Sequence, residues 1–186
     1  VEHGANAAAK KTIVFHYEAY AEYAQQITLA PIAIKDPNLI VAKALSKVYG
    51  LAAARVGYAI AHPQTIQTLS SYQPWPDSNV SVVSANAALA SLDDKVFVQD
   101  CIEKTNKAKQ LCYDTFKQLR LDYIPSSTNF ILFNIDRIAE NFAQGMKRKN
   151  IQVQFRDHYN GKWCRVTMGT IEEMQEFTNA LKEIAA

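Results

Sequence analysis

The pair Ser46-Lys47 lies just after an apolar run, Leu39-Ile40-Val41-Ala42, and just before Tyr49-Gly50. Arg55 follows eight residues after Lys47, where a second apolar run opens. A lysine at a strand end can be partly withdrawn from water, which lowers its pKa and frees the amine for Schiff-base chemistry. A nearby guanidinium can grip a phosphate through paired hydrogen bonds. On spacing alone the plain alternative is the default: a surface lysine and a strand-end arginine in a salt bridge. Arg165, inside a strand-like run, reads by itself as the arginine of an edge-strand salt bridge.

The elements that must position these residues alternate in type. Thr12 to Tyr17, Leu39 to Ala42 and Arg55 to Ala61 read as buried strands, with a loop or short helix from Glu18 to Gln26 and a turn at 36–38. His62-Pro63 ends the third strand. Beyond the proline-rich stretch 73–76, one helix is expected from about Ser81 to Leu92. A second runs from about Asp93 to Leu119, with Phe97, Cys101, Ala108, Cys112, Phe116 and Leu119 on one face. Short strands at 129–133, 151–155 and 163–168 then alternate with a helix from Ile138 to Lys149. Thr170-Ile171-Glu172-Glu173 is a capping box that opens a last helix with Met174, Phe177, Leu181 and Ile184 inward.

Composition narrows the functional classes. The 186 residues are 48% hydrophobic and 20% charged, enough apolar content for a real core. Lys+Arg 20 against Asp+Glu 18 is too even a balance for a nucleic-acid or membrane-surface binder. No apolar stretch is long enough to span a bilayer, and Val1-Glu2-His3-Gly4 lacks a leader pattern, so a cytoplasmic location is expected. The 3 Cys are odd in number, and Cys101 and Cys112 on one helix would be ~16 Å apart, beyond disulfide reach. Reduced core cysteines and no metal site are the expectation. With 6 scattered Gly, no glycine-rich phosphate loop is present.

Four segments in order carry a resemblance. Ala44 to Tyr58, reading Ala-Leu-Ser-Lys-Val-Tyr-Gly-Leu-Ala-Ala-Ala-Arg-Val-Gly-Tyr, resembles the lysine segment of fold type I pyridoxal-phosphate aminotransferases. The histidinol-phosphate aminotransferases of class I/II are the most similar branch. Tyr17-Glu18-Ala19-Tyr20 resembles the family's Asp-Glu-Ala-Tyr. Pro125 to Phe130 resembles its Pro-Ser-x-x-Asn-Phe. Arg165 to Met174 resembles its Arg-Val-Thr-x-Gly-Thr-x-Glu-Glu-Met. The resemblance covers nearly the whole chain from Thr12 but only a C-terminal half of the family's pattern.

It implies an α/β fold: a partial large domain with a mainly parallel sheet over residues 1–95, and a small α+β domain over 96–186. It implies pyridoxal 5'-phosphate as cofactor and transfer of an amino group between an amino acid or amino-alcohol phosphate and a 2-oxo acid. By resemblance Lys47 forms the internal aldimine and moves the substrate Cα proton. Arg55 and Ser46 hold the cofactor phosphate, Tyr20 bonds its phenolic oxygen, and Tyr17 faces its ring nitrogen. Arg165 clamps the substrate carboxylate. Asn129 lies in a matching segment, and Arg156, with His158 near it, is placed for the substrate's distal group. A homodimer, or a partner supplying the front half, is expected, since a sheet lacking its front strands exposes edges and an apolar face.

Two positions depart from the pattern. Tyr17 replaces the Asp that keeps the pyridine nitrogen protonated; a phenol, ionising near ~10, offers no negative charge at neutral pH. His16 and Glu18 point to the opposite face by strand alternation and do not replace it. Ala44 stands where relatives often carry Ser or Thr, a loss of about 1 kcal/mol of phosphate binding. Two alternatives therefore accompany the transaminase reading: a non-catalytic relative, and a decarboxylase of amino-acid phosphates using the same Lys and Arg.

Overall fold

The structure, a computed structural model, describes residues 4, 8, 9, 12–75, 80–158 and 161–185, the side chains of 157 and 158 excepted. The chain forms two compact units, Val1–Val98 and Gln99–Ala186. The division falls inside one helix, Lys95–Gln118. Among the described residues no helix is long and apolar enough to cross a membrane.

The first unit holds β1 (Val14–Tyr17), α1 (Ala21–Ala24), α2 (Ala30–Ala33), β2 (Leu39–Ala44), β3 (Gly57–Ile60), α3 (Pro63–Ser71) and α4 (Val82–Asp93). Its sheet has the order β1-β2-β3. β1 runs parallel to β2, pairing Val14 with Leu39 and Tyr17 with Ala42. β3 runs antiparallel to β2, pairing Ala44 with Gly57 and Val41 with Ile60. The described sheet is thus one parallel and one antiparallel pair. One face is apolar and covered: Leu39 and Val41 are buried with Leu29, Ala33 and Ala9, and Val14, Ile32 and Ile60 pack against them. The opposite face, by the period of two, carries Phe15 and Tyr17 at 64% and 61% exposure.

Local chemistry sets where these elements begin. β3 starts at Gly57 rather than Arg55, because Arg55 has φ 51 and cannot be extended. A Cβ on Gly57 would lie 2.6 Å from the Lys43 carbonyl oxygen, so the strand pair closes only on a glycine there. The sequence reading placed no helix at Pro63–Ser71. Its start signal is His62-Pro63: proline fits the first helical position, and the His62 ring accepts the Gln64 N–H at 3.3 Å. Ser81 caps α4 by accepting the Ser84 N–H at 3.1 Å.

The long helix α5 (Lys95–Gln118) buries Ile102, Ala108, Cys112 and Phe116. Of the expected stripe, Ala108, Cys112 and Phe116 are buried and Leu119 packs partly buried against them, while Cys101 is half-buried and its neighbour Ile102 is buried instead. Phe97 departs from it at 43% exposure, lying in the first turn, before the second unit's core begins.

The second unit adds β4 (Tyr123–Ile124), β5 (Phe130–Asn134), α6 (Ala139–Arg148), β6 (Gln154–His158), β7 (Gly161–Thr167) and α7 (Ile171–Ala185). Its sheet order is β4-β5-β7-β6, all antiparallel. Ile131 and Phe133 alternate inward from β5 and are fully buried. Phe133 is the hub: its ring stacks on Phe116 at 4.5 Å and meets Phe142 and Phe177 edge-on at 5.9 and 6.1 Å. α7 begins at the expected capping box, with the Thr170 N–H donating to Glu173 at 2.8 Å and the Glu173 N–H to Thr170 at 3.2 Å. Met174, Phe177 and Leu181 are buried, and Ile184 packs partly buried against them. Cys112 and Cys164 belong to this core, and burial pushes both thiols up to about 12.

Phe133→Ala should destabilise this unit by about 3–5 kcal/mol, since the hole is walled by rings that cannot collapse into it. Urea unfolding followed by circular dichroism checks this; a loss under about 1 kcal/mol would mean Phe133 is not the hub.

Candidate active site

Lys47 sits on a turn held from both sides. β2 ends at Ala44, and Leu45 and Val48 are buried at 1% and 2% exposure, which pins the backbone around Ser46 and Lys47. The Leu45 N–H donates to the Val56 carbonyl at 3.3 Å, and the Leu51 N–H to the Leu45 carbonyl at 3.0 Å. The turn closes at Gly50, whose N–H donates to the Lys47 carbonyl at 3.0 Å and whose φ of 70 suits glycine. Both Ser46 and Lys47 are half-buried. The Lys47 Nζ lies 5.5 Å from the centroid of the Tyr20 ring, a cation–π contact. The structure thus brings together two residues that sequence reasoning assigned to one site.

Arg55 is exposed on the strand-entry loop, and its Nη1 donates to the Ala52 carbonyl at 2.8 Å. That loop is anchored by the Ser84 hydroxyl, which donates to the Ala54 carbonyl at 2.8 Å. Tyr17 shares its sheet face with Ala42 and Ala44. Its ring is open to water, over a floor of small side chains continued by Gly57 and Ala59 on β3. Of these residues, Lys47 and Tyr20 are the pair joined by a contact, while the Arg55 guanidinium is engaged with the Ala52 carbonyl of its own loop. The Tyr17 phenol does not suit a protonated ring nitrogen, which needs an anion opposite it.

Beneath the turn lies a charged cluster that the sequence reading missed. Glu18 is 4% exposed. Its carboxylate accepts from the Leu29 N–H at 2.8 Å, the Thr28 hydroxyl at 2.8 Å and the Lys43 ammonium at 2.9 Å. Lys43 also donates to Glu22 Oε1 at 3.1 Å, and the Tyr49 hydroxyl donates to that same oxygen at 3.3 Å. The His16 Nε2 is 3.7 Å from Glu18 Oε1, so His16 and Glu18 do turn away from the Tyr17 face. Burial raises the Glu18 carboxyl, but the Leu29 N–H, Lys43 and Thr28 outweigh it and leave the group below its usual value. Burial likewise lowers Lys43, and its two carboxylate partners outweigh that and raise it. The available signal was register: Leu39, Val41 and Lys43 alternate onto one covered face, and a charge there must be paired.

In the second unit, β6 and β7 place Gln154 opposite Arg165 and Arg156 opposite Trp163. Gln154 Oε1 accepts from Arg156 Nη2 at 2.9 Å and from Arg165 Nη1 at 3.4 Å. The Arg165 guanidinium stacks over the Phe130 ring at 3.8 Å, and its buried Nε has no hydrogen-bond partner among the described residues. Two expected arginines therefore share one amide oxygen, through a glutamine the sequence reading did not single out. The Asn129 carbonyl accepts the Met168 N–H at 2.8 Å, which fixes the start of β5. The side chain of His158 lies outside the described residues. Among the described residues no group of three or more metal-ligating side chains gathers.

The Glu18 contribution has a definite sign. Its carboxyl is held below the unfolded value of 4.5, so the stabilisation is present above that value and is lost as pH falls through the lower folded value. Glu18→Gln should flatten this acid loss of stability while lowering stability at neutral pH, where Lys43 would lose a partner. Unfolding midpoints from pH 7 down to pH 3 check both; an unchanged acid limb would remove Glu18 from the account.

The chain matches the aminotransferase class I and II family over residues 4–181. It is similar to histidinol-phosphate aminotransferase 2 of Carboxydothermus hydrogenoformans, 31% identical over 94% of this chain and 49% of that protein. It is also similar to histidinol-phosphate aminotransferase of Bacillus subtilis, 35% identical over 94% and 49%. Among solved structures it resembles histidinol-phosphate aminotransferase from Sinorhizobium meliloti in complex with pyridoxal-5'-phosphate. The TM-score there is 0.79 at 25% identity, covering 97% of this chain and 53% of that one. The chain spans about half the length of the curated relatives it matches. With the lysine turn, the Tyr20 contact and these matches together, the chain belongs to the aminotransferase class I and II family, and its α/β fold is part of the fold type I architecture.

Proposed function

We propose that the chain is the cofactor-bearing part of a transaminase that moves an amino group between a small amino donor, of the amino-acid or amino-alcohol-phosphate class, and a 2-oxo acid. Pyridoxal 5'-phosphate is the implied cofactor; when bound it supplies the electron sink that makes the substrate Cα proton removable. One observation carries the reading: a half-buried Lys47 amine held by a pinned turn against the Tyr20 ring. The residue types fit that chemistry one by one. Lys47 presents a primary amine that can bond covalently to an aldehyde and later hold or release a proton. Ser46 and the Arg55 fork serve as phosphate donors. The Tyr20 phenol would hydrogen-bond the cofactor's ring oxygen. The Arg165 guanidinium, flattened on Phe130 with an Nε that has no partner among the described residues, suits a carboxylate. Arg156 and Asn129 complete the substrate-facing set.

On this reading the first unit is the remaining large domain, the second the small domain. The exposed row of Ile13, just before β1, and Phe15 and Tyr17 on β1, an edge strand of the described sheet, supports a partner there. That partner is a second copy, or the part of the relatives that this chain does not match.

A second reading is favoured by Tyr17: a relative that binds the cofactor without turnover. The exposed phenol would give the ring nitrogen no anion, and among the described residues of its sheet face none is acidic.

Adding pyridoxal phosphate to the full chain should give a visible absorbance band that Lys47→Ala abolishes. Restoring the anion with Tyr17→Asp should speed conversion of the bound cofactor by an amino donor at least about tenfold, equivalent to 1.4 kcal/mol. A band that survives Lys47→Ala would contradict the assignment. A band with no gain from Tyr17→Asp would contradict the role given to position 17.

A further inference from the structure

We infer that Glu22 is a positioning residue that holds the Tyr20 ring against Lys47, by tying both chain arms flanking Lys47 to the helix that carries Tyr20. This rests on the reading of Lys47 and Tyr20 given above. α1 spans Ala21–Ala24, too short to be stable by its own hydrogen bonds. Tyr20 is its cap residue, and no side chain caps the helix there. Backbone bonds place this turn, the Ala21 N–H donating to the Glu18 carbonyl at 3.5 Å and the Ala24 N–H to the Tyr20 carbonyl at 3.1 Å, and a side-chain restraint on it bears directly on where Tyr20 lies.

Glu22, two residues on, supplies that restraint. Its Oε1 accepts from Lys43 at 3.1 Å and from the Tyr49 hydroxyl at 3.3 Å. Lys43 lies four residues before Lys47 and Tyr49 two residues after it. One carboxylate oxygen therefore joins the strand that leads into the lysine turn, the segment that leaves it, and the helix of Tyr20. The anchor is rigid at its far side. Lys43 is held at 2.9 Å by Glu18, which is itself fixed by the Leu29 N–H and the Thr28 hydroxyl. The staple also keeps its charge state: burial, and then the Glu22 charge, push the Tyr49 phenol up to about 12, so it remains a donor at neutral pH.

The test needs no cofactor. In the full chain made with 13C-labelled lysine, the Lys47 Cε–Hε signal is assigned by its disappearance in Lys47→Arg. A ring below an ammonium shields the neighbouring methylene, so the signal should be displaced upfield, and Tyr20→Leu should remove the displacement. Glu22→Ala is then expected to lose most of it while the chain remains folded by circular dichroism. Glu22→Gln, which keeps an acceptor oxygen, should restore part of it. A merely stabilising residue would lower the melting temperature and leave the Lys47 shift in place well below it; that result in Glu22→Ala overturns the proposal. If Glu22→Ala does not fold, Tyr49→Phe removes one strand of the staple without the charge; a full wild-type shift there overturns it equally. Failure of the functional reading is separate: it would show as no pyridoxal-phosphate band in a wild-type chain whose Lys47 shift still depends on Tyr20 and Glu22.

Discussion

The ion pair between Glu18 and Lys43 is the constraint on which the first unit's chemistry depends. Glu18 directly follows β1, Lys43 lies near the end of β2, and both are withdrawn from water. A buried pair of this kind adds little net stability over an apolar pair of the same shape, but leaving either charge alone there is costly. Its effect is one of geometry. The pair admits one register of β1 on β2 and one position for the chain that follows β1. That chain carries Tyr20, and the strand that carries Lys43 leads directly into Lys47. The polar network and the lysine turn are therefore one construction: its apolar pins are Leu45 and Val48, and its charged pin is Lys43.

The two faces of the first sheet divide these tasks. The covered face holds Leu39, Val41 and Lys43, and ends in the network. The open face holds Phe15, Tyr17 and the small residues beside them, where an aromatic ring could lie flat. Tyr17 weighs most on the proposed function because an exposed phenol stands where the resemblance leads one to expect a carboxylate. In the second unit, a rigid aromatic core around Phe133 supports an antiparallel sheet. The neighbouring strands β6 and β7 of that sheet bring Arg156 and Arg165 onto one amide oxygen. Rigid packing below and convergent cations above are what an anion-binding face needs.

Much of this was legible in the sequence because the signals were local. Strand alternation gave β1, β2 and β5, the Thr170 to Glu173 box gave the start of α7, and the lysine segment gave the family. What was not legible depended on contacts between segments far apart in the chain. The pairing of Glu18 with Lys43 needs the parallel register of β1 on β2, and the meeting of Gln154 with both arginines needs the β6–β7 register. Arg55 read as strand because apolar residues follow it, yet its left-handed backbone belongs to the loop. α3 was hidden because His62-Pro63 marks a strand end and a helix start alike. A charge within an apolar alternation, as at Lys43, was the one available sign of a buried network.

The most direct measurement is to reduce the pyridoxal-phosphate-treated chain with borohydride, digest it, and locate the modified residue by mass spectrometry. The account predicts a single stoichiometric adduct on Lys47, with Lys43 unmodified because two carboxylates hold it. Modification spread over the surface lysines, or centred on a residue other than Lys47, would contradict it.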